Sequence, residues 1–267
     1  MKSEENYLEI NRRLWNERTK AHLNSRFYDM QSFKQGDSTL KEIELDLLSD
    51  ISDKSLLHLQ CHFGQDTLSL ARMGATVTGV DLSDTAITEA GRISEELNLP
   101  ARFICTDLYD LPSHLNEQFD IVFTSYGTIG WLPDLKKWAN IVARYLKPGG
   151  KFVFAEFHPV IWMFDNELSY VQYSYFNKEA IVETEIGTYA DKDAPIAMES
   201  VGWNHSLAEV LDSLLSEGLR LTTFREFDYS PYNIFPGMIE VEPGKFQLEK
   251  WMGKIPLVYA LQMSKEL

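Results

Sequence analysis

A chain of 267 residues with 44% apolar side chains can bury the core of one large domain, and it contains no apolar run long enough to cross a bilayer. Its formal net charge of −15 repels phosphate backbones and anionic lipid, so neither nucleic acid nor membrane is an expected partner. Two cysteines, Cys61 and Cys105, offer no disulfide framework, and the opening MKSEENYLEI lacks the apolar segment of a secretory signal; both point to a cytoplasmic setting.

The first fifty residues read as helical. Leu8, Leu14 and Trp15 give the first stretch an apolar side, and Leu40, Ile43, Leu47 and Ile51 recur at helical spacing in STLKEIELDLLSDI. The pattern then alternates. SLLHLQ is a short apolar strand, DTLSLARMG a helix ending near Gly74, and ATVTGVDL a strand. SDTAITEAGRISEELNLP is a helix capped by Ser83 and closed by Asn98 and Pro100. ARFICTDL and FDIVFTSY are strands, Asp134 caps the helix LKKWANIVARYL, KPGG is a turn, and KFVFAEF is a strand.

Short strands alternating with helices imply βαβ units and a parallel sheet, whose ligands bind beyond the carboxyl ends of the strands. After Pro159 the rhythm breaks into an aromatic-rich stretch that suits a small antiparallel addition. Order returns at HSLAEVLDSLLSEGL, where Ser206 and Glu209 form a capping box and Gly218 is the stop. Two strands follow, LRLTTFREF and IPLVYALQM, with DYSPYNIFPG between them.

Five motifs in order resemble the class I S-adenosylmethionine-dependent methyltransferases across residues 56 to 158: LLHLQCHFG, VTGVDLS, ICTDLYDLP, FDIVFTSYGTIGWLPD and LKPGGKFVFAEF. The resemblance implies an α/β, Rossmann-like, doubly wound and mostly parallel seven-stranded sheet with an antiparallel last strand. It also implies a single domain over 1–267. That domain divides into an N-terminal helical cover (1–54), a cofactor-binding core (55–159), a substrate-side insertion (160–203) and a C-terminal completion of the sheet (204–267).

The implied cofactor is S-adenosyl-L-methionine and the implied partner a small-molecule substrate. Asp81, with Leu82 beside it, takes the ribose hydroxyls, because one carboxylate accepts two hydrogen bonds from a diol. Asp107 takes the adenine amino group and Leu108 offers a backbone N–H to the ring. Ser125 and Tyr126 flank the methionine part. Gln60, Cys61, His62 and Gly64 form the loop, and Tyr28 or Arg26 from the N-terminal helical segment reaches the cofactor carboxylate.

The first motif departs from the family pattern. His58 replaces its strand acid, and Gln60 and His62 replace its first two loop glycines. Such replacements fit where the backbone is ordinary or where the new side chains are put to use, and Gln60 has an amide that suits the cofactor's carboxylate or amino group. The spacing of His58, Cys61 and His62 is not that of structural zinc, so no metal is expected.

For catalysis, His158 in EFHP serves either as a general base or to order the loop before Pro159, and Tyr126 either orients substrate or packs over the cofactor. Asp66 reads as a first-turn helix residue and His205 as structural. The aromatics Trp131, Trp162, Phe164, Tyr170, Tyr173, Trp203 and Tyr232 suggest a lid over an apolar acceptor. The expected activity is in-line methyl transfer to a small molecule. The alternative is an inactive S-adenosylmethionine- or S-adenosylhomocysteine-binding protein with a degenerate loop. A nicotinamide dehydrogenase is disfavoured by the lack of G-x-G-x-x-G. The acceptor and the oligomeric state are not written in the sequence.

Overall fold

SLLHL carries apolar side chains on both faces, as a strand covered on both sides must. In the computed structural model, which describes residues 6–266, it is β1 (Ser55–Leu59) and lies inside a seven-stranded sheet. The charged first residues, MKSEE, fall outside the described part. The core then runs through β2 (Thr76–Asp81), β3 (Ala101–Cys105), β4 (Phe119–Ser125) and β5 (Leu146–Phe157). A two-stranded hairpin follows, β6 (Ile181–Ile186) and β7 (Ala197–Gly202), then β8 (Leu219–Phe227), a second hairpin β9 (Met238–Glu242) and β10 (Lys245–Leu248), and β11 (Val258–Lys265).

The sheet order is β3-β2-β1-β4-β5-β11-β8. The first five strands are parallel, and β11 runs antiparallel to both β5 and β8. This is the expected topology. The hairpin β6–β7 realises the expected antiparallel addition, whereas β9–β10 was not foreseen, because its strands alternate charge and apolar residues over only a few positions. The KPGG turn also moves. Phe119 pairs with Leu146 and Ile121 with Lys151, so Lys147–Gly150 bulge out within β5 rather than preceding it.

The helices are α1 (Tyr7–His22), α2 (Met30–Gln35), α3 (Glu42–Leu48), α4 (Gln65–Arg72), α5 (Asp84–Leu97), α6 (Leu135–Tyr145) and α7 (Leu207–Ser216). Alternate strand residues feed two cores. Leu57, Leu59, Val122 and Phe154 pack with Trp138 of α6 and Leu214 of α7. Leu56, Phe123, Val153 and Ala260 pack with Ile43, Leu47 and Leu48 of α3.

Caps fall where the sequence placed them. Ser83 accepts from Ala86 N–H at 3.0 Å, Asp134 from Lys136 and Lys137, and Ser206 from Glu209 N–H at 3.1 Å. The Ser206 cap is half of a box, because the Glu209 carboxylate turns instead to His205 Nδ1 at 3.2 Å. No helix among the described residues is long and apolar enough to cross a membrane.

Candidate active site

The loop after β1 keeps the left-handed backbone of a glycine loop without the glycines. φ is +55° at Gln60, +52° at His62 and +80° at Gly64. Left-handed geometry at the first two costs about 1 kcal/mol each. At Gly64 nothing larger fits, because a Cβ there would meet the Phe103 ring at 2.9 Å.

The loop side chains offset that strain. Gln60 Nε2 donates to the Thr128 carbonyl at 2.8 Å and so ties the end of β1 to the loop after β4. Gln60 Oε1 is left buried without a partner. His62 Nε2 lies 3.0 Å from His22 Nδ1 at the end of α1, and the His62 N–H donates to Asp81 at 2.8 Å. Burial and the nearby Arg18 hold both imidazoles well below their ordinary pKa, His22 at about 3, so they are neutral. Cys61 turns into the sheet against Gly79, where a Cβ would come within 2.8 Å of its sulfur. His58, in place of the family's strand acid, is buried and bonded through Nδ1 to Thr67 at 2.8 Å.

Asp81 and Asp107 sit at or just past the ends of neighbouring strands. Asp81 accepts backbone N–H groups from Ser83 at 2.9 Å and from His62, one on each oxygen, leaving a lone pair free on each. Burial raises it to about 6. Burial also raises Asp107, which lies close enough to Tyr7 of α1 to help push that phenol to about 12.

Helix α1 roofs this end of the site. Asn16 accepts from Ser83 Oγ at 2.6 Å, Trp15 meets Trp131 edge-on at 5.4 Å, and Arg18, buried, pairs with Glu185 of β6. The side chain of Asn11 bonds Val201 of β7 in both directions, at 2.8 and 3.0 Å, which ties the hairpin to the helix.

On the other side, buried Glu156 organises the loop after β4. Its carboxylate accepts backbone N–H groups from Gly127, Thr128 (2.8 Å), Ile129 (3.3 Å) and Phe157 (2.7 Å), and the Thr128 hydroxyl as well.

Two expected site residues, His158 and Arg26, are corrected here, and the role of Tyr126 is narrowed. His158 does not line the cavity: its Nε2 lies 2.9 Å from Glu226, and its Nδ1 accepts from Val160 N–H at 3.2 Å. Both ring nitrogens are committed to ordering the loop, so the general-base role falls. Tyr126 lines the cavity beside Ser125, and its hydroxyl is committed as a donor to buried Glu44 at 2.7 Å, which leaves its ring to face a ligand. Arg26 is exposed and away from the cavity. Tyr28 lines it, with its hydroxyl 2.5 Å from that of Tyr189. Of the lid aromatics, all but exposed Tyr170 face the cavity.

The loop after β1, the two acids and the loop after β4 open on one cavity of about 1210 Å³, lined also by Asp66 and Tyr232. The family profile described as a methyltransferase domain matches residues 56–150. An uncharacterized methyltransferase of Synechocystis sp. is 32% identical over 162 residues, covering 59% of this chain and 74% of that protein. The chain belongs to the class I S-adenosylmethionine-dependent methyltransferases. A ubiquinone biosynthesis O-methyltransferase of Coxiella burnetii is 33% identical over 116 residues, 43% of this chain and 48% of that one, so the chain spans about half of that relative. In fold, the methyltransferase resembles the geranyl diphosphate C-methyltransferase of Streptomyces coelicolor A3(2), with a TM-score of 0.62 at 16% identity over 97% of this chain and 98% of the other.

The cofactor of this methyltransferase is S-adenosylmethionine, and the dehydrogenase and inactive-binder alternatives give way to an enzyme of that family. Sequence reasoning missed Arg18 and Tyr189 as cavity-lining residues, and His22 and Glu44 as the buried partners of His62 and Tyr126. Glu44 had a signal, being an acid inside the apolar face formed by Leu40, Ile43, Leu47 and Leu48. Tyr189 had none.

Proposed function

We propose that this enzyme methylates a small molecule held in the aromatic half of the cavity. The cavity carries this reading. At about 1210 Å³ it exceeds the roughly 300–1,000 Å³ of an ordinary ligand pocket, leaving room for an acceptor beside the cofactor.

In this reading the ribose hydroxyls bind the free lone pairs of Asp81, with Leu82 beside them. The adenine edge meets Asp107 and the N–H of Leu108. Ser125 flanks the methionine end. Because Gln60 Nε2 is committed to Thr128, its Oε1 is the atom left for the cofactor, and it selects the amino group rather than the carboxylate. His62 and Gly64 shape the loop. Bound S-adenosylmethionine supplies an electrophilic methyl group on a positively charged sulfur. The protein's part is to exclude water under α1 and β6–β7 and to align the acceptor. The two free cysteines fit a cytoplasmic setting.

Incubation with methyl-labelled S-adenosylmethionine and cell extract split by mass tests the acceptor class. Label should enter the low-mass fraction. Label in the protein or nucleic acid fraction overturns the reading.

A further inference from the structure

The acceptor half of the cavity is an aromatic chamber with a carboxylate on its wall. Phe27 stacks on Tyr232 at 5.5 Å and meets Tyr28 at 5.0 Å and Tyr189 at 5.5 Å, while Tyr126 meets Tyr232 edge-on at 5.2 Å. Asp66, one residue into α4, faces the same cavity. One of its oxygens accepts from Thr39 Oγ1, and the other lies 3.5 Å from Ser125 Oγ at the end of β4. That contact places Asp66 at the junction of the cofactor and acceptor halves.

Several hydroxyls of the chamber are already spent. Tyr126 is bound to Glu44, and Tyr28 and Tyr189 are bound to each other. What remains for a ligand is the ring faces, the Tyr232 hydroxyl and the Asp66 carboxylate. The Asp66 carboxylate shares the cavity with the ammonium of Lys41, whose Nζ lies 5.0 Å from the centre of the Tyr232 ring, while Glu44 is raised to about 7 by burial. Arg18, the nearest guanidinium, is committed to Glu185. A carboxylate taken from water is stable only when paired, and aromatic faces hold cations.

From the chamber's rings and the buried Asp66 carboxylate set beside them, we infer that the acceptor is an amine, and that Asp66 is the residue that holds its nitrogen. This rests on the methyltransferase reading above and names its substrate class. The chemistry agrees. A neutral amine attacks with its lone pair; the N–C bond forms as the C–S bond breaks, and the C–S electron pair stays on sulfur. The positive charge passes from sulfur to nitrogen; an acceptor that arrives as the ammonium first gives one proton to solvent, which frees the lone pair that attacks. Asp66 then faces charge that develops only as the reaction proceeds, which is where a fixed carboxylate lowers a barrier.

Calorimetry on the protein loaded with S-adenosylhomocysteine tests this, with 2-phenylethylamine as probe and 2-phenylethanol as its uncharged counterpart. The amine should bind saturably and at least about tenfold more tightly than the alcohol. Asp66→Asn should lose that preference while keeping its affinity for S-adenosylhomocysteine. Tyr232→Leu, a second variant that leaves every carboxylate in place, should weaken the amine more than the alcohol. No saturable amine binding, equal binding of amine and alcohol, or an unchanged preference in Asp66→Asn overturns the inference while the cofactor reading stands. Loss of S-adenosylhomocysteine affinity in a folded Asp66→Asn also overturns it, by moving Asp66 to the cofactor's own amino group. Failure of the wild-type protein to bind S-adenosylhomocysteine would instead remove the methyltransferase reading beneath it.

Discussion

At the β2–β3 end of the cavity, Asp81 closes one strand and Asp107 lies just past its neighbour, so the sheet itself sets their spacing and the backbone supplies their partners. At the other end, the chamber round Asp66 draws Phe27 and Tyr28 from the segment after α1, Tyr126 from the loop after β4, Tyr189 from the β6–β7 connection and Tyr232 from the stretch before β9. The first end depends on two residues and a strand register. The second depends on four separate segments packing round α4 at once. The difference teaches that the two acids are placed by the sheet, while the aromatic chamber is placed by whatever the loops bring over it.

That contrast can be broken at its hinge, the Glu156 carboxylate that fixes the loop shared by both ends. Glu156→Gln replaces an acceptor of four backbone N–H groups by an amide whose NH₂ opposes them. It should cost about 3 kcal/mol of stability, read from urea unfolding. A loss under about 1 kcal/mol would show that the loop holds its shape without this nest.

Removing Asp81 attacks the sheet-borne end alone. Asp81→Ala deletes two charge-assisted hydrogen bonds and should weaken S-adenosylhomocysteine by about a hundredfold in titration calorimetry, some 2.7 kcal/mol. Unchanged affinity would take the ribose role away from Asp81.

Acidity sharpens the same point. Burial raises Asp81 to about 6 from roughly 3.9 in the unfolded chain. A carboxyl group raised in the folded state favours folding below its unfolded pKa, and that contribution is lost as pH rises through about 6. Ligand binding runs the opposite way, because the diol needs the ionised form. Affinity for S-adenosylhomocysteine should therefore tighten about tenfold between pH 5 and 7 and flatten above. The dependence should vanish in Asp81→Asn. A flat wild-type profile would mean that the carboxylate is ionised throughout.

The smallest effect is expected at His158. His158→Gln loses the Glu226 contact and part of a loop anchor, for about 1 kcal/mol of stability, and should leave S-adenosylhomocysteine affinity within about twofold. Loss of methyl transfer in a folded His158→Gln protein would restore the general-base role that the geometry removes.

The sequence by itself determined the βαβ order, the helix caps at Ser83, Asp134 and Ser206, and the acids at the ends of two strands. All of these are local: a period of apolar residues, a capping side chain, or a residue one step beyond a strand is written within a few positions of the chain. The tertiary structure decided the rest. It set the left-handed backbone at Gln60 and His62, because the compensating partners, Thr128 and His22, lie 68 and 40 residues away. It turned His158 outward to Glu226, also 68 residues away, and buried Asp66 among aromatics from distant loops. Side-chain orientation at a cavity depends on such long-range contacts, and nothing in the spacing along one chain records them.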